Sequence, residues 1–242
     1  VHKRCSGISG KWKSNVDFHC RRCLEGENGL FQSVLLKEVV IEPNVKLECV
    51  PKFCYLGDTL GAGGGVEEAA RARVRCAWAK FKELSPILTA RGASYRIKGK
   101  IYKACVQSVL TYGTETWAMK KANLQSLERT ERMMVRWMCG VSLKDRKRSV
   151  DLYSLLRVQS VAEVVRRGRL RWFGHVERKS GDDWVSACRN VVVAGVRCAG
   201  RGRKTWRECV RDDMEELGLH PEWVVFRDMW RDLISGKTSD PS

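Results

Sequence analysis

Two sets of residues in this chain stand at spacings that could do chemistry. The first is a set of metal ligands. His2 and Cys5 are separated by two residues, as are Cys20 and Cys23, with fourteen residues between the pairs. Imidazole and thiolate are the preferred ligands of structural zinc, and a two-residue gap lets both members of a pair reach one ion. His19 stands beside a ligand but out of spacing and is left out. The second set is acidic: Asp182-Asp183 and Asp212-Asp213 are adjacent carboxylates, the residue type that holds the metal ions of a two-metal phosphoryl-transfer site. Neither pair has the aromatic-x-Asp-Asp form between apolar strands. The first follows Ser180-Gly181 in a linker, and the second follows Arg211 in an amphipathic helical pattern. Both are expected to be solvated. No Gly-x-Ser-x-Gly, no His-Glu-x-x-His and no Cys with a plausible His base is found, so no catalytic residue is assigned and the chain alone is expected to be inactive.

The charge points to a partner. A formal net charge of +17 and a pI near 9.6 favour an anionic partner, nucleic acid above all, over charge kept for solubility. Residues 1–60 carry a net of only +2, and residues 129–179 hold fourteen basic against five acidic side chains. The proposed contacts are Arg96, Lys98, Lys100 and Lys103; Arg129, Arg132 and Arg136; Arg146, Lys147 and Arg148; Arg166, Arg167, Arg169 and Arg171; and Arg201, Arg203 and Lys204 in a glycine-containing basic loop. Each cation that neutralises a phosphate releases a counterion and steepens the salt dependence of binding. Trp137 and Trp172 could stack on bases at ~1–3 kcal/mol each, although a Trp at helical spacing is more often core. His175 has no nearby ligand constellation, and no metal or acid–base role is expected of it.

These residues need elements to position them. Val39-Val40-Ile41 and Val34-Leu35-Leu36 suit short strands around the turn Glu42-Pro43-Asn44, and residues 53–56 would complete a small sheet. Gly61-Ala62-Gly63-Gly64-Gly65 follows as a hinge that would let the helical part swing. It is not a phosphate loop, because Glu67 and Glu68 follow instead of Gly-Lys-Ser/Thr; these acids suit a helix N-terminus. Ala70, Val74, Ala77, Trp78, Phe81, Leu84 and Leu88 then recur on one helical face, with Pro86 ending or kinking the helix. Ile97, Ile101, Cys105, Val109 and Tyr112 predict a second face. Leu124, Leu127, Met134, Val135 and Met138 predict a third, capped by Asn123, and Val161, Val164, Val165, Trp172 and Val176 a fourth. Weaker helical pieces follow to about residue 234, and then a disordered tail. Eleven cysteines, an odd number without a signal-peptide pattern, suit an intracellular, reducing compartment. No apolar run approaches the ~20 residues that span a bilayer.

The order of strand, glycine hinge and helical pair resembles the passage from palm to thumb in the reverse transcriptase of non-LTR retrotransposons. Phe53-Cys54-Tyr55-Leu56-Gly57-Asp58 resembles that family's primer grip, which positions the primer end. The likeness extends through Cys76-Ala77-Trp78-Ala79-Lys80-Phe81, Leu110-Thr111-Tyr112-Gly113-Thr114-Glu115-Thr116-Trp117, Leu127-Glu128-Arg129-Thr130-Glu131-Arg132 and Arg171-Trp172-Phe173-Gly174-His175-Val176. The resemblance implies a C-terminal piece of an RNA-directed DNA polymerase that grips RNA, DNA or their hybrid, most naturally in the nucleus. Fingers, palm and catalytic aspartates would lie upstream, and Mg²⁺ would belong to the full-length polymerase. Phe18, Cys20, Arg21, Arg22 and Cys23 resemble the second half of a PHD-type finger, whose upstream ligand pairs are missing here. His2, Cys5, Cys20 and Cys23 therefore either close one improvised zinc site or remain an incomplete one. The chain starts at Val1 in what looks like the middle of a motif, and a fragment is expected.

The fold expected is mainly α: a partial zinc-binding segment (1–24), short strands ending in a primer-grip-like hairpin (25–60), a thumb-like helical bundle (66–140), a basic helical C-terminal region (141–234) and a tail (235–242). The competing reading is a zinc-dependent chromatin or protein-interaction module, or a general nucleic-acid-binding module.

Overall fold

A computed structural model describes residues 38–42, 45–48, 50–61, 65–181, 183–190, 202 and 204–236. Among the described residues the protein is mainly helical, with two short hairpins. It divides into two compact units, residues 1–51 with 181–203, and residues 52–180 with 204–242. The expected zinc ligands His2, Cys5, Cys20 and Cys23, the residues Arg201 and Arg203, and most of the glycine hinge lie outside the described residues.

In the first unit β1 (Glu38–Glu42) pairs antiparallel with β2 (Val45–Glu48), Val39 opposite Leu47. A short helix, Trp184–Asn190, follows Asp183, whose Oδ1 accepts a hydrogen bond from the Val185 amide at 2.8 Å.

The second unit opens with β3 (Lys52–Tyr55) paired to β4 (Asp58–Gly61). This corrects the expectation that residues 53–56 join the upstream strands in one sheet. The cause is the turn: Leu56 and Gly57 take φ of 48° and 79°, and two consecutive positive φ values close a tight hairpin within the local sequence. Gly57 adopts that conformation readily, whereas Leu56 is an uncommon occupant of it.

Helix α1 (Glu67–Leu88) carries Glu67 and Glu68 in its first turn and buries Ala70, Ala77, Phe81 and Leu88, with Val74, Trp78 and Leu84 packed alongside. It runs through Pro86 instead of ending there. Proline leaves the carbonyl four residues earlier without its helical donor, and the Ser85 hydroxyl takes that place, donating to the Lys82 oxygen at 2.8 Å.

Helix α2 comprises Tyr95–Ile101, a π-helical Tyr102–Gln107 and Ser108–Leu110, with Ser94 as its N-cap. Its buried face is Lys98, Gly99, Tyr102, Val106 and Leu110. The expected face was one residue out of phase: Ile97 and Tyr112 are exposed. The rotation follows from Gly99. Without a side chain it lets α2 approach the C-terminal end of α4 (Ser149–Leu156) until a Cβ would overlap the Leu156 carbonyl. Lys98 is then carried inward, and its Nζ donates to the Met138 carbonyl at 3.0 Å, satisfying one of the orphan acceptors at the end of α3 (Lys121–Cys139). Lys98 is 4% exposed and leaves the set of nucleic-acid contacts.

Helix α3 buries Leu127, Met134, Val135 and Met138 as the periodicity predicts. Its cap is not Asn123, which is buried inside the first turn; the helix starts at Lys121 after an extended Lys120. Helix α5 (Val161–Glu177) is capped by the Ser160 hydroxyl. Its first half, Val161 and Val165, joins the main core with Phe81, Tyr102 and Leu127. Its second half supplies Leu170 to a smaller core with Val210 and Met214 of α6 (Trp206–Leu217) and Trp230 of α7 (Arg227–Leu233). Trp230 lies against Gly174, where a Cβ would stand 2.6 Å from the indole nitrogen, and that nitrogen donates to the Leu170 carbonyl at 3.0 Å.

At the centre of the main core is a residue that periodicity did not single out. Glu131 is 0% exposed. Its Oε1 accepts from Gln107 at 2.9 Å and Tyr102 at 3.2 Å, and its Oε2 from the Val161 amide at 2.6 Å and Tyr153 at 3.1 Å. Burial pushes its carboxyl above the ordinary range, against the pull of these four donors. The same burial, with the carboxylate beside them, raises both tyrosine hydroxyls.

Candidate nucleic-acid interface

The four arginines of α5 do not act as a single group. Arg166 and Arg169 turn toward α6: Arg166 pairs with Glu216, and the buried Arg169 pairs with Asp213 at 2.7 Å. Asp213 is thereby not the solvated residue expected. Burial pushes its carboxyl up, and the guanidinium beside it pulls the other way. Its neighbour Asp212 pairs with Lys204 at 2.6 Å. Arg169 is consumed in packing the second core, and Arg166 and Lys204 in tying α6 down, so these three leave the proposed footprint.

Arg167 and Arg171, four residues apart and hence on one helical face, line a groove of about 890 Å³. Its other walls are Ser108 in the last turn of α2, residues 111–115 just past it, and the Arg227 and Arg231 side of α7. Neither Arg167 nor Arg171 has an ion-pair partner among the described residues. Burial together with the charge of Arg171 depresses the Arg167 guanidinium, against a smaller opposite pull from Glu163, and burial together with Arg227 depresses that of Arg178. Cations crowded this way raise the local potential and favour an anion. Arg178 also donates to the Val224 carbonyl at 2.7 Å, and Arg231 pairs with Asp228 at 3.1 Å. Arg178, Arg227 and Arg231 were missed in the sequence. The spacing of Arg227 and Arg231 by four, as in Arg167 and Arg171, was the available signal.

Both tryptophans weighed between core and stacking are exposed. Trp172 is 38% exposed and lines the groove, with the His175 ring against it at 5.3 Å and 29° between planes. Trp137 is 53% exposed and packs one side against Trp78 and Phe81.

The remaining predicted cations are dispersed. Arg96, Lys100, Lys103, Arg129 and Arg132 are exposed on α2 and α3. Arg136 is turned back into its own loop, donating to the Ser142 carbonyl at 3.3 Å and the Lys147 carbonyl at 2.8 Å. Arg146 and Lys147 are exposed on that loop, and Arg148 pairs with Asp151 at 3.1 Å. Arg136 is therefore a support for this basic loop more than a contact on it.

The β3–β4 hairpin is fastened to the bundle. Tyr112 Oη donates to the Leu56 carbonyl at 2.9 Å, Trp117 Nε1 to Asp58 Oδ2 at 3.1 Å, and Arg73 to the Gly57 carbonyl, while Lys52 pairs with Glu68 at 2.8 Å. These ties cross the glycine segment, so the strands are held and do not swing free as expected. Phe53 and Tyr55 stand outward on the hairpin, 55% and 58% exposed, with their rings stacked at 6.4 Å. Cys54 is also exposed.

Among the described residues no group of His, Cys, Asp and Glu converges to hold a metal ion, and no helix is long and apolar enough to cross a membrane. No family model matches the sequence, and no solved structure matches it. Over 174 residues the chain is 28% identical to a transposon-derived protein of Caenorhabditis elegans, a match that takes in 70% of this chain and 62% of that protein. The chain thus spans less than two thirds of the length of the relative it matches, and what it is similar to is a transposon-derived protein.

Proposed function

We propose that the chain is a nucleic-acid-gripping part of a retrotransposon-type reverse transcriptase, one that holds an RNA/DNA hybrid while the carboxylates and Mg²⁺ of polymerisation belong to a palm outside this sequence. The observation that carries the reading is the pair Arg167 and Arg171 on one face of α5, unpaired with any described carboxylate and walling a groove beside the exposed Trp172. Cations held ready in this way bind phosphates without first breaking internal ion pairs. The outward Phe53 and Tyr55 on a fastened hairpin support the primer-grip assignment of residues 53–57. Similarity to a transposon-derived protein supports the parentage. The exposed cations Arg96, Lys100, Lys103, Arg129, Arg132, Arg146 and Lys147 are dispersed over the bundle and remain proposed phosphate contacts apart from the groove.

Zinc, if held, belongs to His2, Cys5, Cys20 and Cys23, and a reducing intracellular site such as the nucleus suits the free thiols Cys54, Cys76 and Cys188. The test is binding of a labelled RNA/DNA hybrid over a salt series. Affinity should fall steeply and log-linearly with salt, and Arg167→Glu with Arg171→Glu should flatten that slope. A chain that ignores the hybrid in dilute buffer would end this reading.

A further inference from the structure

The α5 groove offers more than charge. Its volume of about 890 Å³ lies within the roughly 300–1,000 Å³ of small-ligand clefts, a size for a nucleotide and not for a duplex, which could only lie across its mouth. A flat, exposed indole stands in its wall, backed on one side by His175 at 5.3 Å. Between Arg167 and Arg171 the chain carries Gly168, where a Cβ would meet nothing within 4 Å, so the space over the helix at that point is open. Glu115 is the one carboxylate among the lining residues, against six basic side chains of Arg and Lys.

Resting on the nucleic-acid reading above, we infer that this groove takes an unpaired nucleotide of a single strand, its base stacked on Trp172 and its flanking phosphates on Arg167 and Arg171. A base buried in a duplex offers no free face to an indole. An unpaired base does, and because every base has such a face the site is tolerant of sequence. The cations then track the backbone on either side of the stacked base.

The experiment compares, on the full chain, fluorescence anisotropy of a labelled oligothymidylate of about twelve nucleotides, the same strand with abasic sites, and an RNA/DNA hybrid. The phosphates are unchanged by abasic substitution, so only base contact is removed. The wild-type chain should bind the abasic strand about tenfold more weakly, the loss expected of one stacked base. Trp172→Ala should erase that difference between strands, and Trp172→Phe should keep most of it. Equal binding of the two strands by the wild-type chain, or discrimination that persists in Trp172→Ala, overturns the stacking site while leaving hybrid binding standing. Loss of all binding, hybrid included, in the wild-type chain removes the nucleic-acid reading and this inference together.

Discussion

The backbone of Gly99 lies against the carbonyl of Leu156, so close that a Cβ would overlap the oxygen and stand 2.9 Å from the carbonyl carbon. No side-chain rearrangement relieves that overlap, because the obstacle is main chain. Gly99→Ala should therefore destabilise the protein by about 1–3 kcal/mol or more, read as a lower urea midpoint. Gly168→Ala, with open space at its Cβ, is the control and should be neutral or slightly stabilising, since alanine is the better helix former by about 1 kcal/mol. Equal behaviour of the two variants would mean that α2 and α4 do not cross at Gly99.

Removing Glu131 should cost more than removing any single apolar neighbour. Glu131→Ala leaves the Tyr102, Gln107, Tyr153 and Val161 donors buried without an acceptor, and each such orphan costs about 1–3 kcal/mol. Loss of cooperative thermal unfolding is expected, and a melting temperature close to that of the wild type would refute the assignment.

Glu131 also makes stability depend on pH. Its folded-state carboxyl titrates above the ordinary 4.5 because burial penalises its charged form. The folded state then holds the proton more tightly than the unfolded one, so this group's contribution is complete below that ordinary value and declines as pH rises through the folded-state value. Glu131→Gln removes the titration. The stability of the wild type relative to Glu131→Gln should thus fall between acidic and neutral pH, and a rise would reverse the sign assigned here.

The arginines of α5 should separate into two classes. Arg167→Glu with Arg171→Glu should weaken hybrid binding without moving the melting temperature. Arg169→Ala should do the opposite first, lowering stability by about 1–3 kcal/mol by leaving the half-buried Asp213 without its cation. Denaturation and binding measured on both variants check the division, and a binding loss confined to Arg169→Ala would place the interface elsewhere.

With Mg²⁺, a primed template and nucleotides, the chain alone should incorporate nothing. Asp212 and Asp213 are each already neutralised by a cation, Lys204 and Arg169, and are not free to share a metal ion. Measurable extension of the primer would overturn this reading of the carboxylates.

Much of the helical scaffold was legible in the sequence. The periodicity of Ala70, Ala77, Phe81 and Leu88 and that of Leu127, Met134 and Met138 named buried faces correctly, because apolar spacing at 3.6 residues depends only on the helix itself. What failed depended on contacts between distant segments. The phase of α2 was set by Gly99 meeting Leu156, and periodicity read from Ile97 and Tyr112 had no access to that meeting. Arg166 and Arg169 could not be told from Arg167 and Arg171 without knowing that Glu216 and Asp213 lie alongside. Glu131 carries no signal of its own in the sequence, since a charged residue within a basic helix reads as solvated until its partners are seen.

The partners of Glu131 also set a schedule for biosynthesis. Val161, whose amide it accepts, is translated thirty positions after it. Until that stretch has left the ribosome, α3 carries a hydrated carboxylate on the side that must later become interior. The helix can form early, but its docking has to wait, so a premature stop before Tyr153 would release a chain with this seam still open.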